Sequence, residues 1–217
     1  MIYLSGLVGF LLMLTAEAKI GNSSELPFCT ETKECLLFDL VCETEDYQVR
    51  HYDSVTWVST TDSSLFMEIA SMRSFRRLFR YITGENENGE KIEMTAPVIV
   101  KVEENKGFWQ MGEYTMSFLL PSTHQANPPK PTDEKVFINT MKDMKVYVKS
   151  YGGWLTTFAD KNKARSLTSD LDQVDAEYKK GFHYAVGYDS PMKMFNRHNE
   201  VWKIVEDDPV CSSSEEK

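Results

Sequence analysis

One order of elements, read twice along the chain, constrains the fold more than any single residue does. Tyr47 to Ser59 is rich in Tyr, Val, Thr and Trp and reads as a strand. Leu65 to Ile82 has helical periodicity, is introduced by the polar Thr61-Asp62-Ser63-Ser64, and ends near Gly84. Ile92 to Val102 and Glu113 to Leu120 read as strands, followed by a connection holding Pro121, Pro128, Pro129 and Pro131. The order then recurs. Lys145 to Tyr151 is a strand broken by Gly152-Gly153, Leu155 to Gln173 is a helix, and Phe182 to Tyr188 and Glu200 to Val205 are strands. An α+β domain follows from this pattern. Its duplicated strand–helix–strand–strand halves are expected to form a distorted antiparallel β-barrel with two helices packed outside.

The ends differ from this middle. Residues 1–18 read as a signal peptide: Leu4 to Leu14 is apolar, and Ala16-Glu17-Ala18 has the small-x-small form of a cleavage site. Cleavage there leaves Lys19 as the new N-terminus and a secreted, extracellular chain. The apolar run is too short for an ordinary membrane span, and no later stretch is longer, so no stable membrane insertion is expected. Residues 19–44 form an N-terminal tail with cysteines, 45–206 the folded domain, and 207–217 a polar C-terminal tail. The formal charge is −9. Loss of Glu17 makes it −8, a balance that argues against nucleic acid as a partner.

All four cysteines, Cys29, Cys35, Cys42 and Cys211, flank the repeated region. An even count in a secreted chain points to disulfides, and four cysteines allow three pairings. The reading favours Cys29–Cys35 as a local loop and Cys42–Cys211 as a tie between the two ends. Asn22-Ser23-Ser24 is a glycosylation sequon.

Two further segments carry a resemblance. Lys91-Ile92-Glu93-Met94-Thr95-Ala96-Pro97-Val98 contains Met-Thr-x-Pro-Val. Gly187-Tyr188-Asp189-Ser190-Pro191-Met192-Lys193 runs on to Arg197-His198-Asn199-Glu200-Val201-Trp202. Together they resemble the SOUL/haem-binding-protein family over roughly Tyr47 to Val205. The resemblance implies the same fold and a non-enzymatic binder of haem or a related tetrapyrrole, acting as carrier or scavenger.

The first helix holds the candidate site. On a helical projection Met67, Ser71, Ser74, Phe75, Leu78 and Ile82 share one broad face, and Arg73, Arg76, Arg77 and Arg80 lie opposite. Met72 and Phe79 fall on the border. A flat apolar ring with carboxylate arms suits such a border: the ring on Met72, Phe75 and Phe79, the carboxylates on Arg76 or Arg80. An ordinary amphipathic helix with a solvated basic face has the same periodicity. The resemblance favours the tetrapyrrole and adds Lys193 from the late turn. Met72 departs from the basic residue of some relatives.

Histidine is the usual protein ligand of haem iron. By strand parity His51 shares a face with Tyr47, Val49, Val55 and Trp57. The Arg50-His51-Tyr52 triplet matches one proposed for axial ligation in the SOUL branch, which makes His51 the candidate iron ligand. Other branches lack this histidine. His124, His183 and His198 form no zinc-type spacing. No nucleophile elbow and no phosphate-binding glycine loop is present, so no enzyme is expected. The rival reading is a secreted interaction protein on the same fold that takes another apolar ligand or a protein partner.

Overall fold

The computed structural model describes residues 19–104 and 110–212. The proposed signal peptide and the last five residues of the polar tail lie outside the described residues. Short strands β1 (Ile20–Asn22) and β2 (Glu34–Leu36) pair with each other. The main sheet contains β3 (Asp39–Glu43), β4 (Gln48–Tyr52), β5 (Val55–Ser64), β6 (Val98–Glu103), β7 (Gly112–Leu119), β8 (Val136–Met141), β9 (Met144–Tyr151), β10 (Phe182–Gly187) and β11 (Asn199–Ile204). Helix α1 (Met67–Ile82) follows β5, and α2 (Thr157–Gln173) follows β9.

The nine strands pair antiparallel in the order β3-β4-β9-β11-β10-β6-β7-β5-β8. From β4 to β8 that order is symmetric about the β10–β6 pair. On one side β7 and β8 flank β5; on the other, β11 and β4 flank β9. The duplicated α+β architecture is therefore present. The expected barrel is not: the order ends at β3 and β8, which do not pair, so the hydrogen bonding closes no ring.

Period-two alternation sorts the sheet into two faces. Tyr52, Trp57, Ile99, Leu119, Val148, Val186 and Trp202 point to one shared core, which also takes Cys29, Cys35 and Leu36 from the N-terminal segment. Strands from both halves of the order meet there, so the sheet curls around that face. The opposite face carries the helices. Leu78 and Tyr81 of α1 pack on Val58, Val100 and Met116, while Leu167 and Leu171 of α2 pack on Val49, Tyr147 and Val201. Among the described residues no helix is long and apolar enough to cross a membrane.

Three elements differ from the sequence reading. The single strand expected from Tyr47 to Ser59 is two strands, β4 and β5, in opposite halves of the sheet. Asp53 and Ser54 break it, as turn-forming residues do. The break also shifts parity. Tyr52, Val55 and Trp57 share the inner core, whereas His51 keeps the parity of Val49 on the helix-covered face. The strand expected to begin at Ile92 begins at Val98, after a cis Ala96–Pro97 bond. Strand β8 was hidden behind the prolines that precede it.

Both favoured disulfides are present, Cys29–Cys35 and Cys42–Cys211. The second ties β3 to the chain's far end, 169 residues away. Within residues 19–44, Cys35 and Leu36 are buried, and the backbone N–H of Leu36 donates to the carbonyl of Ala96. Non-reducing peptide mapping of the native protein is expected to recover these two linked peptides and no alkylated cysteine.

Candidate functional site

Helix α1 is a surface helix with an apolar outer strip. Its inner face buries Met67, Ala70, Ser74, Leu78, Tyr81 and Ile82. Residues Ile69, Met72, Arg76 and Phe79, spaced three, four and three apart, form a line along the outside. Met72 and Phe79 are 58% and 46% exposed, far more than large apolar side chains on a helix with a buried partner face require. Phe75 supports the line from below. Its ring stacks on Phe79 at 5.8 Å and meets Phe118 of β7 edge-on at 5.2 Å.

The four arginines divide by partner. Arg73 donates to Asp62 and to the carbonyl of Ser63, each at 2.8 Å. Arg77 donates to Thr60 Oγ1 at 2.7 Å and lies near Asp62 and Asp133. Arg80 has longer ion pairs, 3.6 Å to Glu85 and 3.8 Å to Asp133. Among the described residues Arg76 alone of the four has no hydrogen-bonding or ionic partner, and it stands between Met72 and Phe79. An exposed, uncommitted guanidinium flanked by bare apolar surface is a ready carboxylate receptor.

Lys193 lies in the 188–198 turn between β10 and β11. Its ammonium is held by Asp189 at 2.5 Å and Thr30 at 3.3 Å. The turn is braced by Arg197, which donates to the carbonyls of Ser190 and Lys193 at 2.7 Å. It presents Met192, Met194 and Phe195 to solvent. The turn leaves β10 beside Val98, Val98 pairs with Phe118 of β7, and Phe118 meets the Phe75 ring of α1. The α1 strip and the turn thus rise from one region of the fold, although among the described residues the ammonium of Lys193 bonds to Asp189 and Thr30 and not to α1.

His51 sits elsewhere. Its Nε2 is 2.7 Å from Asp143 and its Nδ1 is 3.6 Å from Asp39. None of these partners belongs to α1 or to the 188–198 turn. With Asp53 and Asp143 it places three ligand atoms within 4.8 Å of one another, a cluster that could hold a metal ion. Sequence spacing could not reveal that group, because Asp143 comes from the distant β8–β9 turn.

Several polar side chains of the two sequence motifs are committed to structural bonds. Thr95 Oγ1 donates to the carbonyl of Leu119 at 2.6 Å. Asn199 Nδ2 donates to the carbonyl of Gly153 at 2.8 Å. Glu200 is fully buried within the curled sheet and accepts from Arg50 at 3.0 Å, from Trp202 Nε1 at 2.7 Å and from the Tyr188 hydroxyl at 3.2 Å. Burial opposes the Glu200 charge, but Arg50 and the hydrogen bonds from His198 and Trp202 outweigh it and hold the pKa below the usual range. Phe38 lies 4.1 Å from the Arg50 guanidinium and completes its cage.

A family model described as the SOUL heme-binding protein matches residues 33–204. The chain belongs to the SOUL family. Its relatives include Heme-binding protein 2 of Homo sapiens, 37% identical over 164 residues, which covers 76% of this chain and 80% of that one. Heme-binding protein 1 of Xenopus laevis is 30% identical over 158 residues, covering 73% and 83%. Among solved structures the EcmrR C-terminal domain has a TM-score of 0.55 at 9% identity, with 74% of this chain and 98% of that one covered. That last likeness shows the fold alone. The SOUL match begins at residue 33, ahead of the segment where the motifs first show, and so includes β2 and β3.

A second group of residues escaped the sequence reading. Buried His183 on β10 lies between Asp160 of α2, at 2.8 Å, and Glu104 after β6, at 2.9 Å; Lys203 adds 2.7 Å to Glu104. Burial opposes the imidazolium, but the hydrogen bonds to Asp160 and Glu104 push its pKa up to about 9. Glu104 is likewise opposed by burial, yet His183 and Lys203 pull it down to about 2. The signal was absent from the sequence because the four groups come from four separate elements.

Proposed function

We propose that this chain binds haem or a related tetrapyrrole on the outer strip of α1, without catalysis, as a carrier or scavenger. One observation carries the reading: Met72 and Phe79 stand bare on either side of an uncommitted Arg76. The ring rests on Met72, Phe75 and Phe79, and a propionate pairs with Arg76. Arg80 is near enough in sequence to take the second propionate by exchanging its long contacts to Glu85 and Asp133. Lys193 lies at the border as a further cation. The relatives named as heme-binding proteins at 30–37% identity support the ligand class.

Titration of the protein with haemin is expected to give a saturable Soret shift. Its absence would favour the rival reading, an interaction protein on the same fold. Phe79→Asp and Arg76→Glu are each expected to weaken binding about tenfold or more, by placing a carboxylate where a ring and a propionate must lie. Arg73→Ala, whose guanidinium is bonded among the described residues to Asp62 and Ser63, is expected to leave it unchanged. In this reading His51 stays with its aspartates, so His51→Ala retains both affinity and spectrum. Loss of an imidazole-type spectrum in that variant would instead assign His51 as the axial ligand.

We also propose that the mature chain begins at Lys19 and is secreted. The apolar run before Ala16-Glu17-Ala18 and the two disulfides support this. N-terminal sequencing of secreted material tests it, and intact Met1 in cytosol would overturn it.

A further inference from the structure

We propose that the groove between the start of α1 and the length of α2 is a second ligand site, separate from the α1 strip, which takes a small lipophilic cation. The groove has a volume of about 1020 Å³, enough for a drug-sized molecule. Of α1 it uses only Met67 and Glu68, together with Leu65 and Phe66 just before the helix. Met67 and Phe79 are twelve residues apart, which on a helix is roughly 18 Å. None of Ile69, Met72, Arg76 and Phe79 lines the groove, so the groove and the strip have no lining residue in common.

The groove is built rather than incidental. Glu68 accepts from the backbone N–H of Thr157 at 2.7 Å and from its hydroxyl at 2.5 Å. Thr157 Oγ1 in turn accepts from the N–H of Met67 at 2.9 Å. These bonds lock the two helix starts together and fix the spacing of the walls. Phe66 on one wall and Phe158 on the other keep their rings exposed at the mouth. Aromatic faces on opposite walls favour a flat or aromatic guest, and a cationic one most of all.

The floor sets the charge. Asp160 lines it and is only 2% exposed. Its Oδ2 is taken by His183, but its Oδ1 is buried without a partner. The buried Tyr151 hydroxyl is near enough to feel the Asp160 charge, yet it does not bond to it. Five carboxylates line the groove, Glu68, Glu103, Glu104, Asp160 and Asp172; four cations, His183, Lys203, Lys161 and Arg165, lie against them, which leaves one negative charge over. Of these cations, Lys161 and Arg165 stand exposed on the outer side of α2, where solvent screens them. A positive head directed to Asp160, with an apolar body between Phe66 and Phe158, satisfies both the orphan oxygen and the exposed rings.

Ethidium, a planar aromatic cation with amino donors, is a direct probe. Fluorescence anisotropy with the intact disulfide-bonded chain is expected to show saturable binding. Affinity is expected to fall at least tenfold in Asp160→Asn and in the Phe66→Ala/Phe158→Ala double variant. The double variant alters only exposed side chains, so the test survives if Asp160→Asn fails to fold. Haemin titration separates this site from the proposed α1 strip. The double variant is expected to keep wild-type haemin binding, and Phe79→Asp to keep wild-type ethidium binding. No saturable ethidium binding, equal affinity in the double variant, or competitive displacement of ethidium by haemin would each overturn the proposal. So would tighter binding of the anionic dye anilinonaphthalene sulfonate than of ethidium.

Discussion

Replacing Arg50 by methionine is expected to destabilise the protein by about 3–5 kcal/mol, the range for breaking a buried ion pair from one side. Arg50 and Glu200 have side chains 2% and 0% exposed. Methionine fills much of the arginine volume, so little of the loss comes from a cavity. What remains is a carboxylate sealed inside the curled sheet without its guanidinium partner. Trp202, Tyr188 and His198 still bond to it, and that keeps the penalty below the full cost of an isolated buried charge. The double variant Arg50→Met/Glu200→Gln is expected to recover part of the loss, because both charges then leave together. Without Arg50, burial raises the folded-state pKa of Glu200. The single variant is therefore expected to regain stability relative to wild type as pH falls and Glu200 protonates. Urea midpoints for the three proteins at neutral and acid pH measure this. A loss under about 1 kcal/mol for Arg50→Met would show that the hydrogen bonds alone hold Glu200.

The same residues show how much could be read in advance. Helix α1 was legible because its apolar positions recur at helical spacing and Thr61-Asp62-Ser63-Ser64 introduces it, and α2 because Gly152-Gly153 ends the strand before it. The duplicated order was legible because Gly84, Gly152 and Gly153 punctuate it. The break at Asp53-Ser54 was not, since Tyr52 and Val55 are both apolar and alternation alone runs straight through them. That one missed break misplaced His51. With continuous parity it faced Trp57; with the break, Trp57 points to the inner core and His51 does not. Closure into a barrel was also beyond the sequence, because edge pairing depends on the accumulated twist of all nine strands.

The candidate site was legible in part. The α1 pattern placed Met72 and Phe79 on a border beside arginines, and the structure puts them on the outer surface. It could not rank the arginines. Arg73, Arg77 and Arg80 find acids on β5 and on the 85 and 133 turns, and Arg76 is left over through tertiary placement alone. The motifs that marked the family, by contrast, lie mainly in buried structural bonds. Met94-Thr95-Ala96-Pro97 anchors the entry to β6, and Arg197 through Trp202 brace a turn and a buried ion pair. They identify the fold more directly than they identify the ligand surface.

Folding stability is expected to fall by about 3 kcal/mol as pH rises from 6.5 to 9, through His183. The folded-state pKa is raised from 6.5 to about 9. A raised pKa means that the folded protein holds the proton more tightly than the unfolded chain. The contribution is therefore fully present below pH 6.5 and is lost as pH climbs through 9. The groups facing the imidazole are Asp160 and Glu104, with Lys203 behind Glu104. Tyr114 and Tyr151 feel the Asp160 charge and Tyr178 lies 4.8 Å from Lys203, but burial raises all three tyrosines above their usual value, outside this window. Glu104 gives the acid limb of the same contact. Its pKa is depressed from 4.5 to about 2, so its contribution is present above pH 4.5 and disappears as pH falls toward 2. His183→Gln keeps a hydrogen-bonding side chain but cannot carry the proton. Urea unfolding from pH 5 to 9.5 is expected to show the alkaline decline in wild type and a flattened profile in His183→Gln. An equal decline in both proteins would mean that His183 is neutral in the fold and that its carboxylates are balanced by Lys203 alone.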